Sequence, residues 1–477
     1  MQSRRDRRHG HVAAVGRLLP YDRRGRPRRR RVAPEVNGTC VSQVEAARYP
    51  LLWDGDVVVV GGGSAGSAAA VAAARRGAST LLLESAAHLG GTGASVLDTF
   101  YGFYAPGTGE RVVGGVGWEV CQALTDRKAA FERPNTYGAG TGVTYDPETL
   151  KLVWDELTGS AGVRVLFHAR ASRVVMEGQD VLGLVVETVA GPTYVRAKVV
   201  VDASGDADIA WRAGAALERP AEDRVVQPLT QTFRLAGVDA AATPTAELHR
   251  LMALHADSGA YELPRREGSV HRTTEPGVVH TNVTRVSGVD PTDPWQLSAA
   301  EQEGRRQVVE YTRFLVEQVP GYERAFLIAS APRIGVRESR RLIGEYVLGR
   351  EDVLSARQFD DAIARCGAPI EDHAAGQRTI WQYVGSGDET PTGRTYGVPY
   401  RCLLPRGVDG LLVAGRCLSA THDAHASVRS IGQCMAMGQA AGTAAALAAS
   451  ADGRPRDVDI VKLREQLAVD GALISPG

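Results

Sequence analysis

Six cysteines stand in 477 residues, and no two of them form a C-x-x-C pair. Cys40, Cys121, Cys366, Cys402, Cys417 and Cys434 are scattered, which argues against a zinc ribbon, an iron–sulfur cluster and a dithiol redox centre. Reduced thiols in a cytoplasmic protein are the expectation. No apolar run approaches the roughly 18–20 residues needed to cross a bilayer, so no membrane association is expected. Net charge is also missing, with 55 Lys and Arg against 55 Asp and Glu. That balance conceals an asymmetry: residues 1–35 carry 12 Arg against Asp6, Asp22 and Glu35, leaving 43 basic and 52 acidic residues in the remainder. The stretches RRDRR and RPRRRR suit nucleic acid or an anionic surface in principle. Their low complexity and lack of apolar periodicity read instead as disorder. Arg4 and Arg5 are not followed by the apolar segment of about 7–15 residues that an export signal requires. Residues 1–45 are expected to be a dispensable basic disordered tail, with ordered sequence from near Ala46 and no nucleic-acid partner.

What is present is concentrated first between Val57 and Glu84, VVVVGGGSAGSAAAVAAARRGASTLLLE. Four consecutive valines suit a strand buried on both faces. Gly61, Gly63 and Gly66 follow at G-x-G-x-x-G spacing, with Ser64 and Ala65 between the last two, and an alanine-rich helix leads to the strand Thr80–Leu83 and then Glu84. Gly61 permits the tight turn, Gly63 lets a pyrophosphate approach the backbone, and Gly66 lets helix and strand pack closely. The helix N-terminus offers free N–H groups to the phosphates, and Glu84 stands at the right separation for a ribose diol. The ordered unit predicts dinucleotide binding.

Hydrophobic content of 44% and charged content of 23% are those of a soluble globular chain long enough for two or three domains. Helices are predicted near Gly114–Leu124, at Glu148–Thr158 behind Pro147, at Ala299–Glu317, at Ala325–Ser330 and, rich in small residues, at Val428–Ala449. Strands are predicted at Val163–Phe167, Ser172–Glu177, Val181–Thr188, Thr193–Val201, Thr230–Leu235, Val278–Val286 and Leu411–Ala414. Recurrent prolines from Arg219 onward mark a change of character that reverts near Val398. No internal repeat is evident, and only one dinucleotide motif is present, so a separate NAD(P)H domain is not expected.

Three further signals resemble a known family. Gly90–Gly91 matches a glycine pair that passes close to an FAD diphosphate. Asp202-Ala203-Ser204-Gly205-Asp206 matches a D-A-[ST]-G-D turn that closes over the adenosine side. LLVAGRCLSATHDAHASVR, from Leu411 to Arg429 and including Gly415, Arg416 and Ser427, resembles a segment that covers the flavin. Together, from residue 50 to 450, they resemble the bacterial FAD-dependent oxidoreductases with a glutathione-reductase-like two-domain fold. The flavoprotein subunits of heterodisulfide reductases are relatives whose cluster cysteines are missing here. The resemblance implies an α/β fold: a Rossmann-like FAD-binding domain in two parts (46–218 and 398–477) with an inserted α+β substrate domain (219–397). It also implies noncovalent FAD.

Flavin chemistry needs a positive field near the ring and a group that exchanges a proton. The helix beginning near Val428, with Ser427 as candidate N-cap, and Arg429 would supply the field. His422 and His425, in the loop before it, are candidate proton exchangers as neutral imidazoles, with His425 favoured. Without a third ligand they make no metal site. IGVRESRRLIGEY, from Ile334 to Tyr346, matches an R-E-[ST]-R-R segment of the same family. On an extended strand Arg337 and Arg341 would share one face and suit a carboxylate, the alternative being an ion-pair lattice neutralised by Glu338 and Glu345. Tyr101, Phe103 and Tyr104 either line a pocket or pack in the core. The expected function is hydride transfer between a small organic substrate and flavin, reoxidised by oxygen or an external acceptor. A flavin monooxygenase is the main alternative, and an RNA-acting flavoprotein a lesser one. The substrate is a small molecule, the acceptor is left open, and a homo-oligomer is compatible with the sequence.

Overall fold

The structure is a computed structural model and describes residues 40–134, 138–219, 226–373, 379–388 and 390–475. The basic tail expected over residues 1–45 lies outside this set up to residue 39. Order is nevertheless present before Ala46. Cys40–Val41 forms a short strand, and Ser42 caps the helix Gln43–Ala46 in a capping box with Glu45.

The fold is α/β. Its main sheet centres on the valine strand, Leu51–Val60, which runs parallel to Thr80–Leu83 on one side and to Gly191–Asp202 on the other. Val57 through Val60 are buried because both neighbours are parallel and both sheet faces are covered. Arg164–Leu166 extends the sheet beyond Thr80–Leu83, and Leu411–Val413 pairs with Val200–Asp202. The hairpin Arg170–Glu177 and Asp180–Thr188 adds antiparallel strands, with Cys40–Val41 at its edge. The strands at Arg164–Leu166, Arg170–Glu177, Asp180–Thr188 and Leu411–Val413 follow the sequence reading closely.

Two helices cover the valine strand's face and interlock. Ser64–Arg75 carries alanine at six of its nine buried positions, and Ile431–Ser450 is buried nearly throughout. A Cβ added at Gly438 or Gly442 would lie 2.0 Å from the carbonyl oxygens of Ala65 or Ala69 respectively, so the backbones touch where side chains are absent.

The inserted region forms a four-stranded antiparallel sheet in the order Ser269–Arg272, Val278–Asn282, Phe233–Ala236, Phe326–Ser330. Alternation gives it two unlike faces. Phe233, Leu235 and Val279 pack against the helices Thr245–Asp257 and Pro294–Gln318. His271, His280, Arg234 and Asn282 belong to the opposite, polar face, since His271 and Arg234 both oppose His280 in register. Two expectations need correction here. Ala325–Ser330 is not helical: Phe326–Ser330 is an edge strand, because its apolar run continues the sheet opposite Phe233–Ala236. The insert's apolar core spans Phe233 to Tyr322, whereas Leu348 through Val398 pack into the main core, so the packing does not follow the 219–397 division in its last part. Among the described residues no helix is long and apolar enough to cross a membrane.

Candidate functional site

The turn after the valine strand is built as a bare backbone cradle. Gly61 has φ of 95°, and a Cβ at Gly66 would lie 1.7 Å from the Gly61 carbonyl oxygen. Gly63 is the N-cap of the helix Ser64–Arg75 and makes no side-chain cap bond, which leaves its first amides to a ligand. Gly90 and Gly91 come alongside: Gly90 N donates to Gly62 O at 2.8 Å, and a Cβ at Gly91 would meet the Gly63 Cα at 2.7 Å. A Cβ at Gly63 itself would have nothing nearer than Gly91 Cα at 4.0 Å, so open room remains above the helix start. This open, amide-lined surface fits a dinucleotide diphosphate. Arg333, absent from the sequence reading, reaches it from the insert, with Nη2 3.8 Å from the position of a Gly91 Cβ. Glu84 follows the second strand, and its carboxylate accepts from Gly62 N and Ala86 N, each at 2.7 Å.

The D-A-S-G-D turn braces this cradle. The two Asp202 oxygens accept from Ser204 Oγ at 2.6 Å, Ile209 N at 2.8 Å and Ala210 N at 2.9 Å, so Asp202 is spent on its own turn. Ala203 N donates to Val60 O at 2.9 Å, seating the turn against Gly61. Gly205 has φ of 82° and lies under the Arg416 guanidinium, which donates to Asp206 Oδ1 at 2.9 Å and Ser339 Oγ at 3.0 Å. Asp202 and Arg416 thus act as braces by geometry. Gly415, with φ of 91°, lets the chain pass the Ala65 methyl.

The C-terminal segment departs from expectation in three ways. His422–Val428 is a short helix capped by Thr421, not a loop. The long helix begins at Ile431 with Ser430 at its N-cap. Ser427 is not a cap, because it is buried and bonded to Ala368 O at 2.5 Å and Tyr396 Oη at 2.8 Å. One of the long helix's first amides, Gly432 N, is already taken by Tyr101 O at 3.1 Å, which draws the Tyr101 loop onto the helix start.

The two histidines part company. His425 is fully buried, with Nε2 bonded to Arg416 O at 2.7 Å, and burial holds it neutral, far below its usual range. The ring supports Arg416 through this bond, and its Nδ1 is buried without a partner. His422 is charged, contrary to expectation. Bonds to Asp372 and Glu338, the latter at 2.9 Å, raise it to about 9. Arg341 is likewise closed, at 3.1 Å from Glu338 and 3.2 Å from Glu218, with a further bond to Ala420 O. It does not share a face with Arg337, since only Arg341–Leu342 of this segment is strand. For Arg341 the ion-pair lattice is the correct reading, with Glu338 and Glu218 as the acids. Glu345 pairs instead with Arg456.

Arg337 belongs to a different setting. Its guanidinium donates to Pro228 O at 2.7 Å and Asn282 Oδ1 at 3.3 Å, and Arg265 donates to the same Asn282 oxygen at 3.2 Å. Neither Arg337 nor Arg429 has a carboxylate within salt-bridge distance among the described residues, and Arg429 Nε is buried without a partner. Burial, then repulsion from Arg265 and Arg429, pushes Arg337 well below the ordinary guanidinium value. The neighbouring acid is Glu371: burial raises it, but His373 at 3.1 Å, Arg429 and Arg337 bring it to about 2. Tyr101 joins this buried cluster through Arg133, whereas Phe103 and Tyr104 are core residues. Sequence reasoning missed Arg265, Asn282 and Glu371, which carry no local motif.

The family model for "FAD dependent oxidoreductase" matches residues 56–467. Among solved structures, a geranylgeranyl bacteriochlorophyll reductase-like protein from Thermoplasma acidophilum is 15% identical, covering 88% of this chain and 84% of that chain, with a TM-score of 0.43. A p-nitrophenol 4-monooxygenase from Pseudomonas putida is also 15% identical, covering 87% of this chain and 84% of that one, with a TM-score of 0.44. A flavin-dependent brominase is 13% identical over 87% of this chain and 83% of that one, at 0.44. No curated protein matches the chain.

Proposed function

Because this chain belongs to the FAD dependent oxidoreductase family and its cofactor is FAD, we propose that it moves a hydride between a small organic anion and noncovalently held flavin, with oxygen or an external acceptor closing the cycle. Bound FAD supplies the two-electron acceptor, or the donor in the reverse direction. Gly61, Gly63, Gly66, Gly90 and Gly91 would offer backbone to its diphosphate, with Ser64 and Ala65 opening the helix beneath, Glu84 would serve the ribose, and Asp202 to Gly205, Gly415 and Arg416 brace the cradle. Arg429 and the start of the helix Ile431–Ser450 would supply positive charge to the ring of bound FAD, where it would favour electron acceptance.

The observation that carries the substrate class is the convergence of Arg337 and Arg265 on one neutral oxygen, Asn282 Oδ1, with Arg337 lacking a carboxylate of its own. Two guanidiniums held this way form a fork that matches a carboxylate. Anaerobic mixing of the yellow holoenzyme with a panel of small acids, amines, alcohols and NAD(P)H tests the reading. A carboxylic acid is expected to bleach the flavin fastest. Rapid bleaching by a neutral alcohol or by NAD(P)H, with every acid inert, overturns it.

A further inference from the structure

His271 and His280 oppose each other on adjacent strands of the insert, with ring centroids 5.3 Å apart. Both are buried, and so is Asp98, which comes from the segment just before the strand Thr99–Phe100. Asp98 Oδ1 accepts from His271 Nε2 at 2.9 Å, while Oδ2 has no hydrogen-bond partner and stands 3.6 Å from His280 Nδ1. Neither ring nitrogen of His280 has a hydrogen-bond partner among the described residues. Interiors rarely leave an imidazole unpaired on both sides, because the lost hydration is not recovered. A ring unpaired at both nitrogens, beside His271 Nδ1 and Arg133 Nη2 that are also buried without partners, marks a place where a ligand's polar atoms belong.

The neighbourhood says which ligand. His280 and Asn282 alternate on one strand and share its polar face. Asn282 is the residue on which Arg265 and Arg337 converge. Two residues along a strand advance about 6.8 Å, the span of a short organic acid. A carboxylate at the arginine pair therefore brings the acid's reacting carbon and its heteroatom toward His280.

We propose that His280 exchanges the substrate's proton, with Asp98 orienting its ring and His271 holding Asp98; this rests on the anionic-substrate reading above. In the oxidative direction, the substrate carbon loses its C–H electron pair with the hydrogen, as hydride, to bound FAD. The adjacent O–H or N–H loses its proton to His280 Nε2, and a C=O or C=N bond forms. His280 Nδ1–H then donates to Asp98 Oδ2, so the new imidazolium faces a carboxylate. Hydrogen bonds of this kind are often long before the substrate arrives and tighten with it. The charged groups facing His280 are Asp98, His271 on its neighbouring strand, Arg234 on the strand Phe233–Ala236, and Arg133 on the strand Ala130–Pro134. Burial pushes His280 down to about 3; Asp98 opposes this, and His271, Arg234 and Arg133 reinforce it. An anion bound at the arginine pair would add negative charge beside a neutral base and raise its proton affinity toward working pH.

Two measurements on the holoenzyme decide the matter. Calorimetric titration with oxalate near pH 6.5, in two buffers of unlike ionisation enthalpy, reads the protons taken up on binding. Uptake approaching one proton is expected in the natural chain and none in His280→Asn, whose oxalate Kd should rise by about tenfold, because near-complete uptake at this pH itself contributes about that factor to binding. Anaerobic flavin reduction by the reactive acid from the panel is expected to slow by about 10²–10⁴-fold in His280→Asn. The loss should be smaller in Asp98→Asn, with a shifted pH profile. His280→Asn that still takes up the proton, or that reduces flavin at the unaltered limiting rate, overturns the assignment. Failure of oxalate to bind the natural chain counts against the anionic reading, and the reduction rate then judges His280 alone. His280→Gln replaces the first variant if that one loses its flavin.

Discussion

Glu338 and Glu371 are both carboxylates brought to about 2 against the effect of their burial, yet their surroundings are opposites. Around Glu338 the cations are matched: His422 meets Glu338 and Asp372, Arg341 meets Glu338 and Glu218, Arg340 meets Asp208, and Arg416 meets Asp206. Around Glu371 the guanidiniums of Arg337 and Arg429 have no contacting carboxylate, and the polar face beyond them carries the unpaired His280. A lattice closed on itself sets how two regions of chain join. An open one of the same residue types is short of negative charge, and a substrate can supply it. The conspicuous R-E-S-R-R motif straddles both, with Arg337 in the open cluster and Arg340 and Arg341 in the closed one.

The difference is broken most forcefully from the closed side. Arg341→Met leaves Glu338 and Glu218 facing one fewer cation, and denaturant unfolding is expected to register a loss of about 3–5 kcal/mol. From the open side the sign reverses on adding an anion. Oxalate at about one hundred times its Kd should stabilise the protein by about 2.7 kcal/mol in thermal or chemical unfolding. Arg337→Gln should weaken oxalate binding by about ten- to a hundredfold, the worth of a bond to a charged group, while shifting unliganded stability by less than about 1 kcal/mol. If Arg337→Gln unfolds the protein as Arg341→Met does, the two clusters are not distinct.

The remaining contrast is in pH. His422, raised to about 9 in the fold, contributes stability that is complete below its unfolded value near 6.5 and is lost as pH climbs through about 9. His280 and His373 are both lowered to about 3 and stay neutral in the fold while the unfolded chain protonates. They therefore erode stability as pH falls from about 6.5 toward 3. In unfolding measured across pH, His422→Gln should flatten the alkaline limb and His280→Asn the acid limb.

Much of the cradle was legible because its signals are contiguous. Gly61 to Gly66, the alanine helix, Glu84 and Gly90–Gly91 lie within one short stretch, and each of these glycines except Gly63 answers a local steric demand. The cluster around Asn282 and His280 was not legible for the opposite reason. Asp98 and His271 are 173 positions apart and meet only through sheet pairing and the docking of the insert. Arg265 and Asn282 are single residues without periodicity. Ser427 and Ser430 are equally good caps on paper, and only the break between the two helices decides for Ser430. Ala325–Ser330 was ambiguous because short apolar runs satisfy helix and strand alike until a partner strand is present.

The glycine seam at Gly438 and Gly442 has a consequence beyond packing density. The helices Ser64–Arg75 and Ile431–Ser450 are keyed together, so neither can slide without dragging the other. With FAD placed as proposed, one rigid clamp would grip both its diphosphate and its ring. A single methyl group inserted at position 438 should loosen adenylate and isoalloxazine together, as a common off-rate and not as separate defects.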